Sequence, residues 1–289
     1  MGIKYTKLVY FNRETAKYIF TGGTKNDTIG NEKTAKSGNC EYRRKEVHML
    51  KIEHLAWSIP GGEDIIKDID VTVPEGKLIV VTGPNGGGKT TMAKLIAGIE
   101  CPSSGRILFD GEDITKLDVT ERAQKGIAYA FQQPVRFKGL TVRDLLELAA
   151  GGKLPEEKLC ALLGQVGLCA NEYIDREMNT SLSGGESKRI EIATVLARQA
   201  KLSIFDEPEA GIDLWSFSRL VETFQNLRKQ GNGTLLVISH QERIPSIADE
   251  IIVIADGRVR AIGPGKEVLP QLLADERAAR CPLGKEELA

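Results

Sequence analysis

The chain is short of long apolar runs. Its longest aliphatic stretch, residues 251–255, is the length of a strand, far below the roughly 18 residues a bilayer-spanning helix needs. Five cysteines without a Cys-x-x-Cys pair and only three histidines exclude both a disulfide framework and a zinc site, and suit a reducing cytosol. An excess of positive charge is missing too. Lys plus Arg number 39 against 40 Asp plus Glu, so a protein that mainly wraps nucleic acid is excluded. What remains is a cytoplasmic globule of 289 residues, long enough for one large α/β domain or two small ones.

Residues 1–48 differ from the rest. Two short apolar bursts precede a polar stretch rich in Gly, Thr, Lys and Asn, and basic residues outnumber acidic ones two to one. This reads as a weakly ordered extension or a start-site artefact, with Met49 as the natural beginning. Gly2 to Thr6 fits the short N-myristoylation pattern, which recurs by chance. The segment 271–289 reads as a charged, Ala-containing tail, helical with a frayed end. Cys160 and Cys169 flank an apolar helical pattern and are expected in the core. Cys281 is expected to be exposed, and none has metal-ligand spacing.

From Met49 the pattern becomes regular. Residues 49–59 and 65–73 alternate as half-buried strands around the turn Pro60-Gly61-Gly62. Residues 77–82 form a compact β-branched run, as in a strand buried on both faces. It leads directly into Gly83, Pro84, Asn85, Gly86, Gly87, Gly88, Lys89, Thr90 and Thr91, a full G-x-x-x-x-G-K-[ST] match that opens a helical pattern. Glycines there let backbone N–H groups turn around phosphate oxygens, and the helix start adds its positive dipole end. Lys89 supplies a cation for the β and γ phosphates, and the Thr90 hydroxyl suits Mg²⁺.

The second half supplies complementary groups. A buried strand over 201–207 ends in Asp206 and Glu207; the first suits a Mg²⁺ ligand, the second a base for the attacking water. Residues 234–240 form a third such strand, ending at His240. Asp256-Gly257 between two apolar runs predicts a hairpin. Leu182, Ser183, Gly184, Gly185 and Glu186 precede a helical pattern over 187–198. By chemistry alone they are a second helix N-terminus with a Ser cap, not a defined site.

The order of these motifs over residues 49–270 resembles that of ATP-binding cassette (ABC) ATPases. The resemblance implies an α/β P-loop NTPase fold. It would have a parallel-sheet core, an antiparallel β subdomain from 49–76 and about 105–132, and a helical subdomain over about 134–200. ATP and Mg²⁺ are the implied cofactors. Gln132 becomes the Gln-loop residue that senses Mg²⁺ and couples to a partner, in preference to Gln133. Glu207 becomes the general base and His240 the γ-phosphate switch. Residues 182–186 become the signature, reaching the ATP of the opposite subunit in a head-to-tail dimer, with Asp213 in the loop that touches that subunit. No aromatic residue stands where the family stacks adenine; that position falls near Ile59, with Trp57 two residues earlier and read as core or partner-facing.

Finer details are similar to the SufC family, the soluble ATPases of Suf iron–sulfur cluster assembly. These are Glu191 on the signature helix, Glu209-x-Gly211-x-Asp213 after the Asp-Glu pair, Arg243 three residues beyond His240, and the missing stacking aromatic. Pro208 and the segment Arg136-Phe137-Lys138 depart from that pattern. This resemblance implies a SufB/SufD-like soluble scaffold as partner. The alternative is the ATP-binding subunit of a membrane transporter, peripheral to the membrane, with a permease as partner and Glu191 on a solvated helix face.

Overall fold

The computed structural model describes residues 48–271 apart from Arg136, Thr180 and Asn232. The expectations for the N-terminal extension, for Arg136 and for the tail with Cys281 lie outside the described residues.

Strands β1 (His48–Ser58) and β2 (Asp64–Pro74) pair antiparallel. After β3 (Leu78–Thr82) and helix α1 (Lys89–Ala97) come β4 (Ser104–Phe109), β5 (Glu112–Asp113), α2 (Val119–Gln124) and β6 (Ile127–Ala130). Four helices follow: α3 (Val142–Ala150), α4 (Glu156–Gln165), the short α5 (Ala170–Tyr173) and α6 (Gly184–Ala197). Then β7 (Leu202–Asp206), α7 (Leu214–Gln230), β8 (Thr234–Ile238), β9 (Glu250–Ala255) and β10 (Arg258–Pro264) complete the order.

The strands make one sheet in the order β5-β4-β1-β2-β10-β9-β3-β8-β7-β6. Strands β9, β3, β8, β7 and β6 run parallel, whereas β1, β2, β4 and β5 form an antiparallel wing. The segment expected to extend this wing to residue 132 does so only through β5. Strand β6 instead pairs parallel with β7, because residues 127–130 return across the sheet after α2 and bring apolar side chains to its far edge.

Alternation explains why the central strands are apolar at nearly every position. Leu78 and Val80 of β3, Leu235 and Val237 of β8, and Ile251 and Val253 of β9 belong to one buried cluster, shared with α3 to α7. Their neighbours Ile79, Val81, Leu236, Ile238, Ile252 and Ile254 belong to a second cluster under α1 and the wing. A period of two thus serves two layers at once, each buried Leu, Ile or Val contributing about 1.5–3 kcal/mol. The helical layer obeys a different period. Helix α3 buries Val142, Leu145 and Leu146 and starts at a Thr141–Asp144 capping box.

Cys160 and Cys169 are exposed, contrary to expectation, as is Cys101. Helix α4 turns Leu159, Leu162 and Leu163 inward, which sends Cys160 outward, and Cys169 is the N-cap of α5. The apolar pattern was right for its leucines; the cysteines sit beside it.

Candidate functional site

The carboxyl ends of β3, β7 and β8 carry the chemistry, where parallel sheets place their loops. After Thr82 the chain turns through Gly83, Gly86 and Gly88 at φ 131°, 77° and 103°. A Cβ on Gly83 would stand 2.0 Å from the Ile254 carbonyl oxygen, and one on Gly87 2.8 Å from it. The loop is therefore pressed against the β9–β10 hairpin, and glycine is needed for space as well as for φ. The hairpin tip, Asp256-Gly257, has φ 53° and 71°, as a two-residue type I′ turn requires. The Gly257 N–H donates to the Gly87 carbonyl at 3.1 Å.

Gly88 caps α1 without a side-chain hydrogen bond, and no acid stands in the first turn. Lys89 is buried, its Nζ donating to the carbonyls of Gly83 at 2.9 Å and Pro84 at 2.8 Å. Burial lowers its pKa, against the raising effect of Glu207 and Asp206. Pro84, Asn85 and Gly86 form the exposed tip; Thr91 is half-buried behind Lys89.

Asp206, 1% exposed, accepts hydrogen bonds from Thr90 Oγ1 at 3.0 Å on one oxygen and from the Tyr129 hydroxyl at 2.8 Å on the other. Burial raises its pKa and those two bonds oppose the rise. The Tyr129 hydroxyl is itself driven up by burial and by the Asp206 carboxylate. Glu207 follows with φ 44°, a left-handed conformation that a Glu adopts at a cost of about 1–3 kcal/mol. Its N–H donates to the Ile238 carbonyl at 3.0 Å, so the strained turn is pinned to β8. Glu207 Oε2 accepts from Gln132 Nε2 at 2.7 Å, and His240 Nε2 lies 3.8 Å from Oε1. Gln133 is exposed beside Gln132.

Leu182, Ser183, Gly184, Gly185 and Glu186 occupy the start of α6. Leu182 is buried in the helical layer's core. Ser183 and Glu186 form a reciprocal capping box: Glu186 N–H donates to Ser183 Oγ at 3.2 Å, and Ser183 N–H donates to Glu186 Oε2 at 2.7 Å. The Tyr173 hydroxyl donates to Glu186 Oε1 and is the largest cause of a Glu186 pKa lowered to about 2. Gly185 packs against the Gly211 carbonyl, where a Cβ would stand at 2.7 Å, whereas Gly184 has open space. Asp213 caps α7, accepting from Trp215 and Ser216 N–H groups at 3.0 Å each. Hydrogen bonds from Ser216 hold its carboxyl below the usual range.

Among the expected residues, the structure brings the phosphate loop, Asp206, Glu207, Gln132 and His240 together at the carboxyl end of the parallel strands. It keeps the signature and Asp213 on separate helix starts. Three partners were missed. Tyr129 holds Asp206 from the adjacent strand β6. Glu209 accepts from Ser239 Oγ at 2.5 Å and from the His240 N–H at 3.3 Å; burial raises its pKa. Lys188 is 1% exposed, its Nζ directed at backbone oxygens of Phe131, Gln132 and Asp206. Glu191 is not on a solvated face: its side chain is 13% exposed and accepts the Phe131 N–H at 2.9 Å. Trp57 is partly buried against the wing's core, and Ile59 is 47% exposed. Arg243 donates to Ser218 Oγ at 2.8 Å.

This fold and this loop define a P-loop nucleoside triphosphatase. The family of ABC transporter domains matches residues 66–210. An uncharacterized ABC transporter ATP-binding protein of Methanocaldococcus jannaschii is 40% identical over 230 residues, covering 77% of this chain and 91% of that one. The lipopolysaccharide export system ATP-binding protein LptB of Haemophilus influenzae is 31% identical over 244 residues, covering 82% and 98%. Among solved structures, cbiO1 of Clostridium perfringens, part of the ABC transporter complex cbiONQ, superposes with a TM-score of 0.66. It is 30% identical and covers 82% of this chain and 97% of that one. The chain belongs to the ABC transporter family and is an ATP-hydrolysing cassette.

Proposed function

We propose that this cassette hydrolyses ATP by in-line attack of water on the γ phosphate, in a head-to-tail pair of cassettes, and uses the closing and opening of that pair to work on a partner chain. The observation that carries the reading is the convergence of Gln132 and His240 on Glu207, one residue beyond the Thr90–Asp206 pair.

Lys89 and the uncapped start of α1 hold the phosphates. The donor set fits Mg²⁺: a hydroxyl and a carboxylate 3.0 Å apart, both hard oxygen ligands. Thr90 and Asp206 would hold the ion, with Gln132 beside them, and its charge would neutralise phosphate oxygens. Tyr129 occupies the other Asp206 oxygen and fixes the carboxylate's orientation. Glu207 accepts the proton of the attacking water, with Gln132 and His240 setting its rotamer. Ser183, Gly184 and Gly185 act on ATP held by the other cassette, and Asp213 meets that cassette.

For the partner, the named relatives favour a membrane permease, with the cassette peripheral to the membrane. No helix among the described residues is long and apolar enough to cross a bilayer itself. A second reading, a SufB/SufD-like soluble scaffold in iron–sulfur cluster assembly, is favoured by the buried Glu191, which the transporter reading leaves to solvent.

The test is Glu207→Gln. Turnover should fall by about 10²–10⁴-fold with ATP still bound, because an amide cannot accept the proton; wild-type turnover would remove Glu207 as base. The same variant, tagged and loaded with Mg-ATP, separates the partners. Recovery of a multi-helix membrane protein only in detergent supports the permease, and recovery of a soluble scaffold without detergent supports the second reading.

A further inference from the structure

We infer that the buried Lys188–Glu191 pair on α6 positions Gln132 against Glu207, so that the placement of the signature helix sets the competence of the general base. This rests on the reading of Gln132 and Glu207 as members of the hydrolytic site.

The pair holds both polar groups of one residue. Glu191 Oε1 accepts the Phe131 N–H at 2.9 Å, and Lys188 Nζ donates to the Phe131 carbonyl. The same ammonium reaches the Gln132 carbonyl at 3.3 Å and the Asp206 carbonyl at 3.4 Å, and lies 3.5 Å from Glu191 Oε2. One cation therefore ties together α6, the start of the Gln loop and the end of β7. From that anchored backbone the Gln132 side chain crosses to Glu207 at 2.7 Å.

Apolar contact holds only the first side chain of this segment. The Phe131 ring meets Tyr129 edge-on at 4.9 Å, whereas Val135 and Phe137 beyond Gln132 are 41% and 43% exposed, so the backbone there has little apolar attachment of its own. Its register relative to Glu207 depends on the pair. A buried Lys–Glu pair is also a poor source of stability, since desolvation of both ions offsets their attraction. Burial accordingly lowers the Lys188 pKa and raises that of Glu191. What the pair contributes is geometry: two charges and three backbone oxygens fit only one placement of Phe131 and Gln132. Serving three oxygens at once needs an ammonium, which an apolar side chain of equal length cannot replace.

The experiment is a mutant cycle in the full-length protein, with Glu191→Gln, Lys188→Met, Gln132→Ala and the doubles Glu191→Gln/Gln132→Ala and Lys188→Met/Gln132→Ala. Steady-state kcat, the KM for ATP and Tm are measured for each. Misplacement of a catalytic group by about 1 Å costs up to about 100-fold. Each single variant of the pair should therefore lower kcat by about 10–100-fold and leave KM within about twofold. On the Gln132→Ala background neither should lower kcat further, since the group being positioned is already gone. Losses that multiply in the doubles, or a kcat that stays at wild-type while Tm falls, overturn the positioning role and leave the site reading standing. If Gln132→Ala itself leaves kcat unchanged, the site reading fails first. Should Lys188→Met not fold, the Glu191 arm of the cycle decides alone.

Discussion

Two helices of this cassette start at glycine-rich turns, and their first turns are finished differently. Helix α1 begins at Gly88 with no side-chain cap and no acid in its first turn. Helix α6 begins at Ser183 with a complete capping box, and Glu186 carries a second hydrogen bond from Tyr173. Four N–H groups at a helix start need partners from somewhere. Around α6 the protein supplies two of them itself, together with a negative charge that complements the dipole. Within the first turn of α1 it supplies neither, and places a buried lysine there instead. One start is built to receive an anion from outside its own chain. The other is already capped by its own chain, and on the proposed reading it adds to a site assembled with a second cassette. This is why the phosphate loop is legible from its own residues, whereas the second start takes its role only from the order of motifs around it.

The comparison can be broken at either helix. The largest effect on ATP binding should come from Lys89→Ala, which removes the charge-assisted contact to phosphate. ATP affinity should fall by about 10–100-fold in calorimetric titration, the equivalent of about 1.5–3 kcal/mol. The largest effect on stability should come at the far end of α1. There Arg122, 1% exposed, donates to the carbonyls of Leu95, Ile96, Leu117 and Thr115. Arg122→Ala should lower unfolding stability by roughly 2–4 kcal/mol in urea, because it strands buried carbonyls and opens a cavity.

At the cap of α6 the effects on stability should be smaller. Ser183→Ala removes the cap and should cost about 1 kcal/mol by chemical denaturation. Tyr173→Phe sharpens the same point through pH. The Glu186 pKa lies at about 2 against an ordinary 4.5, so its contribution is complete above pH 4.5 and is lost as pH falls toward 2. Removing the Tyr173 hydroxyl, the largest cause, should flatten the loss of stability between those values. The difference should stay under about 1 kcal/mol, since Glu186 is partly exposed. A larger effect would mean that α6 relies on its cap far more than this account allows.

What the sequence made legible was local. The phosphate loop, Asp206 and Glu207 at a strand end, the Asp256-Gly257 hairpin and the strands buried on both faces all follow from spacing and residue type within short windows. What it hid was the pairing of distant segments. Nothing in residues 127–130 says that β6 lies against β7, and without that neighbour Tyr129 has no visible link to Asp206. Glu209 could be noted beside Glu207, but its bond to Ser239 spans 30 residues. Nothing in the residues around Lys188 says that it is buried, which shows only when the Gln loop is seen folded over it. The cysteines misled for a related reason: helical periodicity identifies a face only to within a residue.

The most direct test compares Gly184→Glu with Lys89→Ala in ATP binding and turnover. A Cβ added at Gly184 meets nothing within 4 Å and its φ is not left-handed, so the variant tests charge rather than backbone strain. With dilute protein and without Mg²⁺, Gly184→Glu should bind ATP as tightly as the unaltered chain while its Mg-dependent turnover falls by about 100-fold or more; Lys89→Ala should lose binding itself. If Gly184→Glu weakens ATP binding as much as Lys89→Ala does, the signature holds nucleotide within its own chain. The division of labour between the two helix starts would then be wrong.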